Sequence, residues 1–87
     1  MYFVYILHSE KDKLLYTGFA EDLQARLSRH HAGEVPSTKF RRPLNLIFYE
    51  GYTVKSDALR REQYFKTTKG KTTLKLMLRD YFQTQNP

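Results

Sequence analysis

The chain has no cysteine, which excludes disulfides, thiolate metal sites and thiol nucleophiles together and suits a reducing compartment. No apolar run approaches the roughly eighteen residues that cross a bilayer as a helix. The opening Met1-Tyr2-Phe3-Val4 also lacks the basic lead-in and cleavage signal of a secretory peptide. A cytoplasmic location is the expectation. Glycine is sparse, at four residues, and none is grouped into a phosphate-cradling loop. A paired-histidine metal motif and a serine-elbow signature are missing too. No repeat, linker or low-complexity segment divides the 87 residues, a length that makes one domain with a modest core.

What the chain does have is aromatic side chains and positive charge. Seven tyrosines and six phenylalanines bring large buried areas to a small domain, and a 40% hydrophobic content is that of a globular protein. The net charge of +6 is uneven: residues 1–38 carry −1 and residues 39–87 carry +7. A basic half on so small a domain favours a polyanionic partner, nucleic acid ahead of an anionic membrane. The plainer alternative is a solvated basic surface.

Tyr2 to Leu7 is apolar without alternation, the pattern of a strand buried on both faces in the middle of its sheet. His8 to Lys13 is a polar turn, and Leu14 to Thr17 returns as a hairpin partner closed by Gly18. A helix is predicted from about Asp22 to His31, with Leu23 and Leu27 inward, Glu21 and Asp22 in its first turn, and Gly33 as its stop. Arg26 and His30 share the border of that leucine stripe. Glu34 to Pro43 is a loop, Leu44 to Glu50 a third strand broken by Gly51, and a second helix starts near Thr53 or Ser56. It places Ala58, Glu62 and Phe65 on one inward stripe, where an unpaired carboxylate is costly. Gly70 interrupts, Thr72 caps a third helix bearing Leu74, Met77, Leu78 and Tyr81, and the domain spans 1–82 with a frayed tail from Gln83 to Pro87.

Polar residues on apolar-facing positions are the candidates for chemistry: Tyr5, Tyr16, Arg26, His30 and Glu62. Each has a plain structural explanation: a core tyrosine, a solvated helix face, or a carboxylate paired with Arg60, Arg61 or Lys66. All of them can nevertheless point toward one edge of a single small sheet.

Val4-Tyr5-Ile6 and Tyr16-Thr17-Gly18 resemble the two halves of the GIY-YIG nuclease signature. The segment Asp22-Leu23-x-x-Arg26-Leu27-x-x-His30-x-x-Gly33 resembles the helix of that family, and Ala58-Leu59-Arg60-Arg61-Glu62 its acidic helix. Phe40-Arg41-Arg42-Pro43, followed by Leu46-Ile47-Phe48-Tyr49-Glu50, is similar to the connecting segment of its small stand-alone members. The likeness runs from residue 2 to about residue 80 and extends to the nuclease domains of bacterial excision-repair incision subunits and homing endonucleases. It implies an α+β fold, with a three-stranded antiparallel sheet flanked by about three helices. It also implies phosphodiester hydrolysis with a single Mg²⁺ or Mn²⁺ ion, and DNA repair as a setting.

By that resemblance Glu62 is the sole protein ligand of the metal, Arg26 holds the scissile phosphate, and His30 positions the nucleophile or the phosphate. One tyrosine orients or deprotonates the attacking water. An unperturbed tyrosine is a poor base at neutral pH, so neighbouring positive charge has to lower its pKa. Tyr16 is favoured as base and Tyr5 as the positioning group. Val4 and Thr17 depart from the signature at packing positions, and Phe19 stands where some relatives carry a lysine. With no added recognition domain, affinity rests on phosphate contacts from Lys39, Arg41, Arg42, Lys66, Lys69, Lys71 and Lys75. Cleavage directed by DNA structure or by a partner protein is expected, with DNA ahead of RNA and no membrane partner. Two other readings stand beside it: a nucleic-acid-binding module of the same fold that cuts weakly or not at all, and a protein-interaction domain.

Overall fold

A computed structural model describes residues 1–85. The elements are β1 (Tyr2–Ser9), β2 (Leu15–Ala20), α1 (Leu23–His31), a 3₁₀ turn (Lys39–Arg41), β3 (Leu44–Tyr52), α2 (Lys55–Phe65), α3 (Thr68–Met77) and α4 (Arg79–Thr84). The sheet is antiparallel throughout in the order β2-β1-β3, so the apolar Tyr2–Leu7 run is central, as its pattern predicts. Val4 and Ile6 face Ala58, Phe65 and Leu74, while Tyr5 and Leu7 face the other way, toward Ala20, Leu23, Leu27 and Leu44. The sheet therefore lies between α1 on one side and α2 with α3 on the other. All four side chains from Val4 to Leu7 are fully buried, and each such burial is worth about 1.5–3 kcal/mol.

Three glycines do not act as the breaks their sequence positions suggest. Gly18 lies inside β2, and β3 runs through Gly51 to Tyr52. Gly70 sits within α3, whose cap is Thr67; the Thr67 hydroxyl oxygen accepts from the Gly70 N–H at 3.0 Å. Thr72 instead bonds back to the Thr68 carbonyl inside the helix. α2 begins after Val54 with no side-chain cap, so neither Thr53 nor Ser56 serves that role. Leu78 leaves helical geometry and splits the single predicted C-terminal helix into α3 and α4. Gln83 and Thr84 consequently lie within α4, while Asn86 and Pro87 lie outside the described residues.

Both ends of α1 are built by local chemistry. Asp22 is the N-cap, not a first-turn residue, and its carboxylate accepts from the Ala25 N–H at 3.0 Å. At the other end Gly33 has φ +77, and the bonds Gly33 N–H to His30 O and Glu34 N–H to Arg29 O close the helix in a Schellman motif. This closure turns the chain back, so that residues 35–38 pass beside His30.

Candidate active site

Strand register sets the centre of the site. Tyr5 lies opposite Gly18, and Leu7 opposite Tyr16, which puts the two tyrosines diagonally on the α1 face of the sheet. Their ring centroids are 6.3 Å apart. The Tyr5 ring occupies the space that a side chain at position 18 would fill: a Cβ there would lie 2.3 Å from Tyr5 Cζ. α1 then adds Arg26 and His30, one turn apart. His30 Nε2 is 2.7 Å from the Tyr5 hydroxyl, and Arg26 Nε donates to the same oxygen at 3.4 Å. The imidazole sits edge-on to both phenol rings, at 5.6 Å from Tyr5 and 5.2 Å from Tyr16. His30 is fully buried, so the border position read from the helix pattern is corrected: the two tyrosines extend the core over it. Tyr16 and Arg26 stay half-buried and accessible.

These placements separate the protonation states. Burial pushes the Tyr5 hydroxyl up to about 12 against an opposing pull from the Arg26 hydrogen bond, with Tyr16 and Glu62 adding to the rise. Tyr5 therefore keeps its proton. Burial, followed by the positive charges of Arg26, His31 and Arg29, drives His30 down to about 4, so the ring is neutral. The hydrogen bond to Tyr5 raises the pKa of Arg26. Glu62 comes from α2, across the sheet, and is still near enough to act electrostatically on the Tyr5 hydroxyl. Its side chain is only 13% exposed, between the buried Ala58 and Phe65 positions of its stripe. It is not unpaired: Lys66 Nζ donates to it at 3.3 Å, whereas Arg60 pairs with Asp57 and Arg61 with Glu50.

The GIY-YIG catalytic domain matches residues 1–75, which hold the whole cluster. The chain belongs to the GIY-YIG family. A UPF0213 protein of Staphylococcus epidermidis is 44% identical over 77 residues, covering 87% of this chain and 93% of that protein. UPF0213 proteins of Staphylococcus aureus strains Mu3 and N315 are 43% identical over the same shares of each chain. No solved structure matches. The family is one of nucleases, so the GIY-YIG domain described here has a nuclease-type fold, and nucleic acid is the class of partner it implies.

The basic residues of this GIY-YIG domain are unequal. Arg41 donates to Asp12 at 2.6 Å and to the Leu15 carbonyl at 3.3 Å, so its guanidinium ties the β1–β2 hairpin to the loop after α1. Arg42 is anchored on the carbonyls of Lys39 and His31 but is exposed. Lys39 borders the exposed Phe40, with its Nζ 5.4 Å from the ring centroid, beside a hollow of about 550 Å³ that Arg42 and His31 also line. Lys69, Lys71 and Lys75 are exposed on α3, and Lys66 is held by Glu62. Among the described residues no group of three or more histidines, aspartates and glutamates converges, and no helix is long and apolar enough to cross a membrane.

One residue of the cluster escapes sequence reasoning. Thr38, also fully buried, places its Oγ1 2.7 Å from His30 Nδ1. It lies in a loop without periodicity, eight residues from its partner. Only the turn closed by Gly33 brings the two together.

Proposed function

We propose that this chain is a metal-dependent endonuclease that hydrolyses phosphodiester bonds in nucleic acid, DNA before RNA. The observation that carries the reading is the cluster itself. An accessible arginine and an accessible tyrosine flank a buried tyrosine–histidine pair, with a largely buried carboxylate in electrostatic reach. Arg26 binds the scissile phosphate and offsets charge growing on its oxygens. Tyr16, the more accessible phenol, serves as base only as its phenolate, which takes the proton of the attacking water as the new P–O bond forms and the bond to the 3′ oxygen breaks. Tyr5 is suited to the other role: it is buried and holds its proton, so its hydroxyl positions Arg26 without acting as a base. His30, neutral and edge-on to both rings, keeps the tyrosines in place.

A single divalent ion fits the donor set. Glu62 offers one carboxylate whose one ion-pair partner among the described residues is the exposed Lys66, and hard cations such as Mg²⁺ or Mn²⁺ accept one protein oxygen with water completing the shell. Glu62 would hold the ion, and the positive charge it brings would offset charge on the departing oxygen. Exposed Lys39, Arg42, Lys69, Lys71 and Lys75 provide contacts to phosphates that carry no sequence information, so structure-directed or partner-directed cutting is the expected mode. One observation favours the second reading, a binding module that cuts weakly: Phe19 packs against Tyr2 in the place where a further cation would sit.

The test is cleavage of labelled branched, nicked and single-stranded DNA with Mg²⁺ or Mn²⁺. Products should vanish with EDTA and with Glu62→Gln or Arg26→Ala, while circular dichroism stays unchanged. Binding with a steep salt dependence but no cleavage would establish the binding module instead, and cutting that survives Glu62→Gln would remove the metal role from that carboxylate.

A further inference from the structure

The buried pair Thr38–His30 admits two arrangements of hydrogens, and only one satisfies every group. If the Thr38 hydroxyl donated to His30 Nδ1, Nε2 would carry the ring proton and donate to Tyr5. The Tyr5 oxygen would then receive two donors, from His30 and Arg26, and none of the described residues would be left to accept its own O–H in a fully buried site. In the other arrangement Nδ1–H donates to Thr38 Oγ1 at 2.7 Å, and the Thr38 hydroxyl donates to the Val35 carbonyl at 3.5 Å. Nε2 is then free to accept from the Tyr5 O–H at 2.7 Å, and the Tyr5 oxygen accepts from Arg26 Nε–H. Every proton in that chain has an acceptor, which is what burial demands.

We infer that Thr38 is a positioning residue for the hydrolysis: it holds His30 in the Nδ1–H tautomer and in one ring orientation, and through it directs the Tyr5 hydroxyl away from Arg26. The inference rests on the nuclease reading given above. Its reach follows from contacts on both sides. Thr38 is fixed by its own N–H, which donates to the Val35 carbonyl at 3.1 Å, and Val35 is itself buried. His30 in turn touches both tyrosine rings. A ring flip at position 30 would put a carbon against the Tyr5 hydroxyl and leave Arg26 facing a differently oriented phenol. The neighbour that fixes a site histidine's tautomer commonly changes activity by an order of magnitude without touching substrate.

The experiment combines ¹⁵N-edited NMR of the His30 ring with single-turnover DNA cleavage in wild type, Thr38→Val and Thr38→Ser. Wild type should show a protonated Nδ1 and an unprotonated Nε2. Thr38→Val should lose that single tautomer and cut about tenfold more slowly at saturating DNA, with half-saturation unchanged. Thr38→Ser should restore both. A wild-type ring protonated at Nε2 overturns the inference even if the valine variant fails to fold, and so does a folded valine variant that cuts at the wild-type rate. A wild type that cuts nothing overturns the nuclease reading and the catalytic part of this one. It is told apart from a failure at Thr38 because the tautomer is read without substrate.

Discussion

Replacing Gly18 with alanine is the sharpest perturbation of the fold that builds this site. In most strands the change is harmless or mildly stabilising, by about 0.4–1 kcal/mol, because the unfolded chain loses freedom. Here the new methyl would stand 2.3 Å from Tyr5 Cζ and 2.4 Å from its hydroxyl oxygen, where carbon contacts normally begin near 3.5 Å, so the ring must retreat by roughly 1 Å. Tyr5 has nowhere to go, since it is fully buried and its hydroxyl is bonded to His30 at 2.7 Å. Overpacking costs about 1–3 kcal/mol, and a buried hydrogen-bonding group left without its partner costs about 1–3 kcal/mol more. The expected loss is therefore about 2–6 kcal/mol, read as a fall in melting temperature of at least about 8 °C for a domain this small. Thermal and urea unfolding would measure it, and cleavage should fall along with stability. An unchanged or raised melting temperature would refute the packing of Tyr5 over Gly18, and with it the diagonal arrangement of the tyrosines.

Three other expectations are simpler to check. Glu62→Gln removes a partly exposed i,i+4 pair with Lys66 worth about 0.3–0.5 kcal/mol, so without metal the melting temperature should move by a few degrees at most. Added Mn²⁺ should stabilise wild type and not the variant, and equal stabilisation of both would place the ion elsewhere. His30, driven to about 4 by burial, is protonated more readily in the unfolded chain; its contribution to stability is full above its ordinary value near 6.5 and is lost as pH falls toward 4. A ring titration by NMR with its midpoint above 6 would contradict that. Asp12, lowered to about 2 chiefly by the hydrogen bond from Arg41, stabilises the fold above about 4 and loses that contribution between about 4 and 2. Arg41→Ala should thus weaken the domain at neutral pH, by a margin that disappears in acid; a margin that persists at pH 2 would assign the effect to the Leu15 carbonyl contact instead.

The parts legible in the sequence were those with a period or a family pattern. The unbroken Tyr2–Leu7 run reads as a doubly buried strand, and it is the centre of the sheet. The leucine stripe of α1 and the Ala58–Phe65 stripe of α2 likewise fix which faces turn inward. Packing that reaches across the chain was not legible. Gly18 looks like a strand terminator because glycine punctuates most chains, whereas its real neighbour is a ring thirteen positions earlier that needs the space. His30 reads as a border residue since helix periodicity cannot see the two tyrosines that cover it. Thr38 carries no sequence signal, because its contact depends on the path of an irregular loop. The pairing of Glu62 with Lys66 was one of three options that spacing alone left open.

In the proposed mechanism Glu62, Arg26 and the two tyrosines serve one phosphate and one metal ion. Crystals grown with Mn²⁺ test it most directly, through the anomalous signal of the ion. A peak bound to the Glu62 carboxylate on the side facing Tyr16 and Arg26 is expected, absent from Glu62→Gln crystals grown the same way. A peak coordinated by other residues, in a protein that still cuts DNA, would contradict it.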